Sequence, residues 1–204
     1  MEVPSLLEHI EMDVWTGGPS EIKVVPLGGP ATIEDLRRTR LKAEIVDGQL
    51  MVIGPSGAAH GRAVGAVLRR LMEHELPEGT GRAFGARVGY IVDLPHRQAF
   101  CPDVSWYTGP PQADFPRGAP IFAAEIRDID EYGDGFDRHA ASKRSDYFAA
   151  GTKVVWDVDV LREGLVRVYR SGDPEHPTVY RRGEMAEAEP AVPGWTMAMD
   201  ELFT

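Results

Sequence analysis

The sequence predicts one α+β or mixed α/β domain in which helices pack on a central mixed β-sheet. Two observations predict this class. Patterns typical of strands and helices follow one another as strands, helix, strands, helix, strands, and turn residues separate them clearly. A chain of 204 residues with 43% hydrophobic and 26% charged residues also has the length and composition of a single globular domain.

The first 29 residues are predicted to form an appended arm of unknown role, because they lack strong periodicity and end in the loop-like PLGGP. Residues 30–204 are predicted to form the domain. The domain is expected to begin with a helix. Thr32 is a suitable N-cap, and Glu34 and Asp35 follow in the first turn, where carboxylates interact favourably with the helix dipole.

A β-hairpin and a long helix are predicted next. The apolar runs AEIV and QLMVI flank Asp47-Gly48, and a two-residue Asp-Gly loop between such runs is a strong hairpin signal. Residues 56–76 carry their apolar side chains at helical spacing, which predicts an amphipathic helix. The positions concerned are Val64, Val67, Leu68, Leu71 and Met72.

Residues 84–170 are predicted to supply further strands, because their apolar runs are rich in β-branched and aromatic residues. A helix is predicted to end at Gly151, where a C-terminal glycine is expected. The predicted bounds are 84–93, 100–107 and 120–127 for three successive strands, 138–150 for the helix, and 153–160 and 165–170 for a C-terminal hairpin around Glu163-Gly164.

The charge balance restricts the function. The chain has 22 basic and 32 acidic residues and a formal net charge of −10, which argues against a general nucleic-acid binder but not against an enzyme. Basic residues cluster in two places, which are typical of solvated helix faces or of a surface that follows phosphates. The clusters are Arg37, Arg38, Arg40 and Lys42, and then Arg62, Arg69 and Arg70.

The sequence also predicts where the protein works. Cys101 is the single cysteine, so no internal disulfide can form, which fits a reducing compartment. The N-terminus is acidic, and no apolar stretch approaches membrane-spanning length. We therefore expect a cytoplasmic protein that does not contact a membrane.

Two of the predicted central strands each carry one carboxylate, Asp103 and Glu125. Burying an unpaired charge is costly, so each carboxylate needs a partner or a metal. Because side chains alternate along a strand, Asp103 shares a face with Ser105 and Tyr107, and Glu125 shares one with Ala123. If the strands are neighbours, facing side chains lie roughly 5 Å apart, close enough to share one divalent ion. Magnesium is the expected compensating charge.

The helix that follows carries a lysine on its apolar stripe. The stripe consists of Phe136, Ala140, Lys143, Tyr147 and Ala150. The Lys143 ammonium would either extend to water or reach the two acids and a substrate phosphate beside them. Two acids and a lysine suit hydrolysis of a phosphodiester, in which a bound metal activates water and the lysine stabilises charge on phosphate or orients the water.

Other site chemistries find less support in the sequence. The six histidines and one cysteine show no paired zinc-ligand spacing, and His60 and His139 are interpreted as helix or loop residues. The glycine-rich GPSGAAHG lacks the lysine and the hydroxyl residue of a phosphate-binding loop. Ser105 does not lie in a nucleophile elbow.

Several segments together resemble one known family. CPDVSWY, AEIR and KRSDYFAAGTKVVWDVD occur in consistent order, with AEIVDGQLMV upstream and VPGWTMAMDELF near the end. This combination resembles the Uma-two family of endonucleases, a branch of the PD-(D/E)XK nuclease superfamily that includes restriction enzymes. The similarity runs from about Thr32 to Phe203 and leaves the arm outside.

The resemblance implies a restriction-endonuclease-like core, a mixed central sheet flanked by helices, with β-hairpins near both ends. It implies that Asp103 and Glu125 are the metal-binding acids. Glu44 falls where such nucleases often carry an additional acid, although a solvent-facing position on a hairpin strand is an equally open interpretation.

The chain departs from the superfamily motif at Arg127, where that motif has lysine. Arginine does not deprotonate and positions water less well, so the lysine role is expected to have moved to Lys143. Arg127 is then expected to act as a phosphate clamp.

Two functions follow as hypotheses. The first is an endonuclease that depends on Mg²⁺ or Mn²⁺ and acts on DNA. The second is a catalytically inactive nuclease-fold protein that serves as a binding or regulatory module, which Arg127, the acidic net charge and the acidic loop 128–137 would favour. Related nucleases often cut as dimers because a duplex has two strands, which allows a homodimer here, although no segment is identifiable as an interface.

Overall fold

The computed structural model describes residues 21–24, 29–75, 79 and 81–203. Three α-helices, thirteen strands and one 3₁₀ helix make up this part of the chain. In chain order they are β1 (Glu21–Val24), α1 (Ile33–Thr39), β2 (Ala43–Val46), β3 (Gln49–Ile53), α2 (Ala58–His74), β4 (Arg82–Gly85), β5 (Tyr90–Ile91), β6 (Arg97–Phe100), β7 (Val104–Tyr107), β8 (Phe122–Ile126), α3 (Asp134–Ala149), β9 (Val154–Asp159), β10 (Leu165–Arg170), β11 (Asp173–Arg181), β12 (Met185–Glu187), β13 (Thr196–Ala198) and the 3₁₀ helix Met199–Phe203.

The strands form two larger sheets and one small hairpin. The six-stranded central sheet has the order β11-β10-β9-β8-β7-β4, and its only parallel pair is β8 with β9. The five-stranded sheet has the order β1-β3-β2-β6-β5, with all pairs antiparallel. Strands β12 and β13 pair with each other. The predicted class, a mixed sheet flanked by helices, is confirmed.

The predicted N-terminal elements are confirmed, and local chemistry explains them. Thr32 caps α1, because its hydroxyl accepts from the Asp35 amide at 3.3 Å while the Asp35 carboxylate accepts from the Thr32 amide at 2.9 Å. Asp47 and Gly48 connect β2 to β3 with φ values of 50° and 70°. A type I′ turn needs a positive φ at both central residues, which Asp-Gly supplies readily.

Helices α2 and α3 lie on opposite faces of the central sheet. Ala63, Val67 and Leu71 of α2 are buried in one cluster with alternate residues of the sheet, including Trp156. Tyr147 of α3 is buried in a second cluster on the other face. Both faces of the central strands are therefore covered, which explains their continuous apolar character. Met72, expected on the apolar stripe of α2, is instead 56% exposed.

The sequence prediction is wrong at residues 84–93, which do not form one strand. This segment contributes the end of β4 to the central sheet and β5 to the five-stranded sheet. Arg87 adopts a φ of 80° between them. This left-handed conformation is incompatible with an extended strand, and the segment turns there.

The prediction of one strand over residues 100–107 is also wrong. Phe100 ends β6 in the five-stranded sheet, whereas Val104 begins β7 in the central sheet. Pro102 lies between them and has no N–H group to donate to a ladder, so pairing is interrupted there. Asp103 consequently lies at the break between two sheets, immediately before β7.

The C-terminal third contains more structure than predicted. Helix α3 begins at Asp134 rather than at residue 138, and it ends as predicted before Gly151, whose φ is 108°. The predicted β9–β10 hairpin is confirmed, but β10 also pairs with β11, which the sequence did not predict. Trp195 and Leu202 then pack into the same cluster as α2.

Part of the predicted N-terminal arm joins the five-stranded sheet. Residues Glu21–Val24 form β1, which pairs antiparallel with β3. The other residues expected in the arm, apart from Gly29, lie outside the described part of the chain. In the described residues, no helix combines the length and the apolar character needed to cross a bilayer.

Candidate active site

Asp103, the residue immediately before β7, lies opposite Glu125 of the neighbouring strand β8. Val104 of β7 pairs with Ala124 of β8, so the antiparallel register places the residue before β7 across from Glu125. In the parallel pair of β8 and β9, Glu125 also lies beside Asp157. The fold therefore brings three carboxylates into one row across the sheet, of which the sequence predicted two.

Asp103 is buried and bonded on both oxygens. Its Oδ1 accepts from Lys42 Nζ at 2.5 Å, and its Oδ2 accepts from the Ile126 amide at 2.9 Å. His60 Nε2, on the first turn of α2, lies 3.3 Å from Oδ2. Burial alone would raise the pKa of Asp103, but the neighbouring Lys42 and His60 hold it well below its ordinary value. The carboxylate is thus ionised near neutral pH.

The surroundings of Glu125 shift its pKa in the direction opposite to that of Asp103. Its Oε1 accepts from the Tyr147 hydroxyl at 2.6 Å and lies 3.0 Å from Lys143 Nζ, while its side chain keeps 27% exposure. Burial raises the pKa of Glu125, and repulsion by Asp103 adds to this effect against the attraction of Lys143. Two facing acids whose pKa values shift in opposite directions are typical of a functional site.

Lys143 bridges two acids. Its Nζ lies 3.0 Å from Glu125 Oε1 and 2.9 Å from Glu44 Oε1, and the side chain is 11% exposed. Burial lowers the pKa of Lys143, but attraction by Glu125 and Glu44 outweighs burial and raises it. The ammonium is turned away from water, but of the two acids that the sequence predicted as its partners it contacts only Glu125, and its other partner is Glu44 instead of Asp103.

Glu44 is not a solvent-facing hairpin residue. Its Oε2 accepts from Arg97 at 2.5 Å, and its Oε1 accepts from the Cys101 amide at 3.0 Å. Arg97 in turn donates to Asp146 at 2.8 Å, so alternating charges extend from Lys143 through Glu44 and Arg97 to Asp146. This buried chain fixes the position of Glu44 behind Lys143.

Arg127 is held by acids of the protein itself. Its Nε and one terminal nitrogen donate to the two oxygens of Asp157, each at 2.7 Å, and the other terminal nitrogen lies 2.9 Å from Asp137. Such a two-point pairing is a strong form of charge-assisted hydrogen bond. The third carboxylate of the row is thereby neutralised by Arg127, and the phosphate-clamp role predicted for Arg127 would require the guanidinium to change partners.

A cavity opens above this row of carboxylates. Its volume is about 70 Å³, several times the 10–15 Å³ that one water needs. Helix α3 contributes one wall and the acidic loop after β8 contributes another. The lining includes Lys42, His60, Asp103, Glu125, Glu131 and Lys143.

Two residues at the cavity, Asp103 and Glu125, are of the chemical type that binds a hard divalent cation. Mg²⁺ binds oxygen ligands, usually one or two carboxylates with several waters, rather than a complete protein cage. Asp103 and Glu125 supply such a pair beside a space that holds water-sized ligands. In the described part of the chain, no group of three or more histidine, cysteine, aspartate or glutamate side chains is arranged to hold a metal ion. The candidate ligands are therefore only the pair Asp103 and Glu125, and Lys42 occupies Asp103 Oδ1 in this structure.

Sequence reasoning missed several residues of this site. Lys42 was recognised only as part of a basic cluster and His60 only as a helix residue, yet both contact Asp103. Arg97 and Asp146 were not singled out at all. Each is separated by about fifty positions from its partner, and one sequence contains no local signal of such pairing.

The acid stability of the protein provides a test of Glu44. Burial would raise the pKa of Glu44, but Lys143 and Arg97 lower it from 4.5 to about 2. A lowered folded-state pKa stabilises the protein above pH 4.5, and this stabilisation is lost as the pH falls through 2. Between pH 4.5 and pH 2, the wild type should therefore lose on the order of 3 kcal/mol more of its free energy of unfolding than Glu44→Gln does. Urea unfolding across the range would measure it, and equal pH dependence in both proteins would contradict the assignment.

Comparison with known proteins places this arrangement in context. The model of the Uma2 family, described as "Putative restriction endonuclease", matches residues 30–200. The crystal structure of a putative nuclease belonging to DUF820 from Anabaena variabilis is similar, with a TM-score of 0.68 and 18% sequence identity, covering 85% of this chain and 98% of that chain. No curated protein matches the sequence. The structural similarity shows a shared fold.

Proposed function

The chain belongs to the Uma2 family, and on this premise we propose that it is a Mg²⁺-dependent endonuclease that hydrolyses phosphodiester bonds of DNA. One observation carries the proposal. Asp103 and Glu125 face each other at the wall of a cavity, and Lys143 is held 3.0 Å from Glu125 by a buried chain of charges. This arrangement of two carboxylates and a lysine supports hydrolysis at a phosphate by an activated water.

Asp103 and Glu125 would hold the metal. The ordinary chemistry of such an ion is to activate water and to stabilise negative charge on phosphate oxygens. Asp103 is suited to this role because its lowered pKa keeps it ionised and its bond from the Ile126 amide fixes its orientation. Glu125 keeps more exposure than Asp103 and therefore has the freedom to adjust to a ligand.

Lys143 would act on the phosphate. Its raised pKa keeps the ammonium charged, so it donates hydrogen bonds and does not serve as a base. Glu44, which is itself held by Arg97, pairs with the Lys143 ammonium from behind and leaves Glu125 on the side of the cavity. Glu44 is a positioning residue in this proposal, and Arg127 maintains the wall of the cavity by neutralising Asp157.

The alternative, an inactive nuclease-fold protein that serves as a binding module, is favoured by one contact. Lys42 Nζ lies 2.5 Å from Asp103 Oδ1, where it already compensates the carboxylate without a metal. In a binding module this ion pair would be permanent. In the nuclease, Lys42 would yield Oδ1 to the metal and remain beside the cavity as a second cation for the substrate.

The test is cleavage of supercoiled plasmid and single-stranded DNA with Mg²⁺, Mn²⁺ or excess chelator. We expect cleavage by the wild type only with metal, and a loss of about 10²-fold or more in Asp103→Asn. Because that change leaves Lys42 without its charged partner, the double variant Asp103→Asn/Lys42→Met serves as the charge-balanced control for folding. A folded wild type that cuts neither substrate with either metal would refute the nuclease and support the binding module.

A further inference from the structure

In the part of the chain that the structure describes, three arginines lie directly over aromatic rings. The distance from the guanidinium carbon to the ring centroid is 3.6–3.9 Å in each case, which is direct stacking. The pairs are Arg144 on Tyr169, Arg162 on Tyr132 and Arg182 on Phe203. Stacking occupies a face of the guanidinium and leaves the N–H groups at its edge available.

These arginines differ from other surface arginines of the protein. Arg37, Arg38 and Arg69 pair with neighbouring carboxylates. Within the described residues, none of the three stacked arginines forms an ion pair with an acid. Their charge is therefore not neutralised locally, although the chain as a whole carries a net charge of −10.

The stacked arginines lie at the active-site cavity and at a surface groove beside it. Arg144 lines the cavity itself, as does Arg127. The Tyr132 ring lies 5.6 Å from the Arg127 guanidinium and 3.7 Å from that of Arg162, so this ring connects the cavity wall to the outer surface. Arg162 then lines a surface groove together with Arg181 and Arg182.

The groove carries an excess of positive charge. Its lining includes one acid, Glu163, and that carboxylate is paired with Arg167. Two acids lie near the adjoining turn, where Glu184 accepts from the Arg181 amide and Asp200 accepts from the Gly183 amide. Both of these acids accept hydrogen bonds from backbone amides.

We propose that Arg144, Arg162 and Arg182 form a backbone-binding strip that holds the phosphates of double-stranded DNA leading away from the cleavage site. The strip rests on the proposed function, since it extends from the same cavity. A planar, stacked guanidinium is held in place before binding and presents two parallel donors to a phosphate. The strip offers phosphate contacts and no groove-reading element, so it is expected to bind duplexes irrespective of sequence.

The test is the salt dependence of DNA binding in the presence of chelator, measured by fluorescence anisotropy with two labelled duplexes of unrelated sequence. Each phosphate contact contributes a slope of about 0.9 to the plot of log K against log salt, measured between about 50 and 200 mM. Arg162→Ala/Arg182→Ala should therefore reduce the slope by about 2 for both duplexes. Arg162→Lys/Arg182→Lys keeps both charges, and it should retain the slope.

Arg38→Ala is the matched control, because it removes an equally exposed arginine that is paired with Glu34. It should leave the slope at the wild-type value. An unchanged slope in the double alanine variant would overturn the strip while leaving the nuclease proposal intact, because cleavage is measured separately. The strip would also be overturned if Arg38→Ala reduced the salt slope as much as the double alanine variant does while the wild type cleaves DNA. Any surface arginine would then contribute equally to binding.

Discussion

Lys143→Met is expected to lower DNA cleavage by about 10²- to 10³-fold, the effect of removing one group that stabilises charge in the transition state. The same variant should bind Mn²⁺ at least as tightly as the wild type. The ammonium lies 3.0 Å from Glu125, and removing a positive charge beside a metal ligand favours the cation. Cleavage and metal affinity should thus change in opposite directions.

This divergence separates a catalytic role from a structural one. If Lys143 only held Glu125 and Glu44 in place, its loss would loosen the carboxylates and weaken metal binding together with cleavage. Single-turnover cleavage and calorimetric Mn²⁺ titration on the same preparation would measure both quantities. Lys153→Met is the matched control, because Lys153 is exposed and lies outside the cavity lining, and it should change neither quantity.

Arg97→Met is expected to reduce the free energy of unfolding by about 3–5 kcal/mol, as is typical when one partner of a buried ion pair is removed. The Arg97 side chain is 3% exposed and donates to Glu44 at 2.5 Å and Asp146 at 2.8 Å. Its guanidinium also lies over the Phe100 ring at 4.7 Å. The substitution leaves two buried carboxylates with fewer compensating charges, so the fold loses more than one hydrogen bond.

Urea unfolding near neutral pH measures this loss. Arg38→Met, which disrupts an exposed pair with Glu34, should change stability by no more than about 1 kcal/mol. The double variant Arg97→Met/Asp146→Asn should be more stable than the sum of the two single changes predicts, because the neighbouring charge is removed together with its partner. A loss below about 1 kcal/mol for Arg97→Met would show that this buried chain of charges does not support the fold.

The sequence predicted those features that short stretches determine. The capping of α1 by Thr32 and the turn at Asp47 and Gly48 depend on residues within four positions of one another. The expected separation of Asp103 from Val104 is found, since Val104 packs in the apolar cluster with α2 whereas Asp103 bonds to Lys42, but Asp103 precedes β7 and does not lie within a strand. These local patterns, together with the order of the segments, were sufficient to predict the class of fold and the family.

What the sequence did not reveal depends on contacts between distant segments. Apolar character alone suggested one strand over residues 100–107, whereas the proline at position 102 divides it between two sheets. The partners of the acids were hidden for the same reason, since Lys42 reaches Asp103 across 61 positions. A buried acid indicates that a compensating charge exists, but a single sequence does not specify which residue provides it.

In the proposed nuclease, a metal ion would compete with Lys42 for Asp103. It is bonded to Asp103 Oδ1 at 2.5 Å, and the attraction of Asp103 and Glu125 raises its pKa against the opposing effect of burial. Lys42→Met should therefore increase the affinity for Mn²⁺, as the metal no longer displaces an ammonium. The same two acids that stabilise Lys42 would stabilise the ion.

Calorimetric titration of the wild type, Lys42→Met and Glu125→Gln with Mn²⁺ tests most directly whether Asp103 and Glu125 form a metal site. We predict one bound ion per chain in the wild type, tighter binding in Lys42→Met and at least about tenfold weaker binding in Glu125→Gln, equivalent to the loss of about 1.4 kcal/mol. Absence of binding in both the wild type and Lys42→Met, with all three proteins folded, would contradict the metal site and with it the proposed nuclease mechanism.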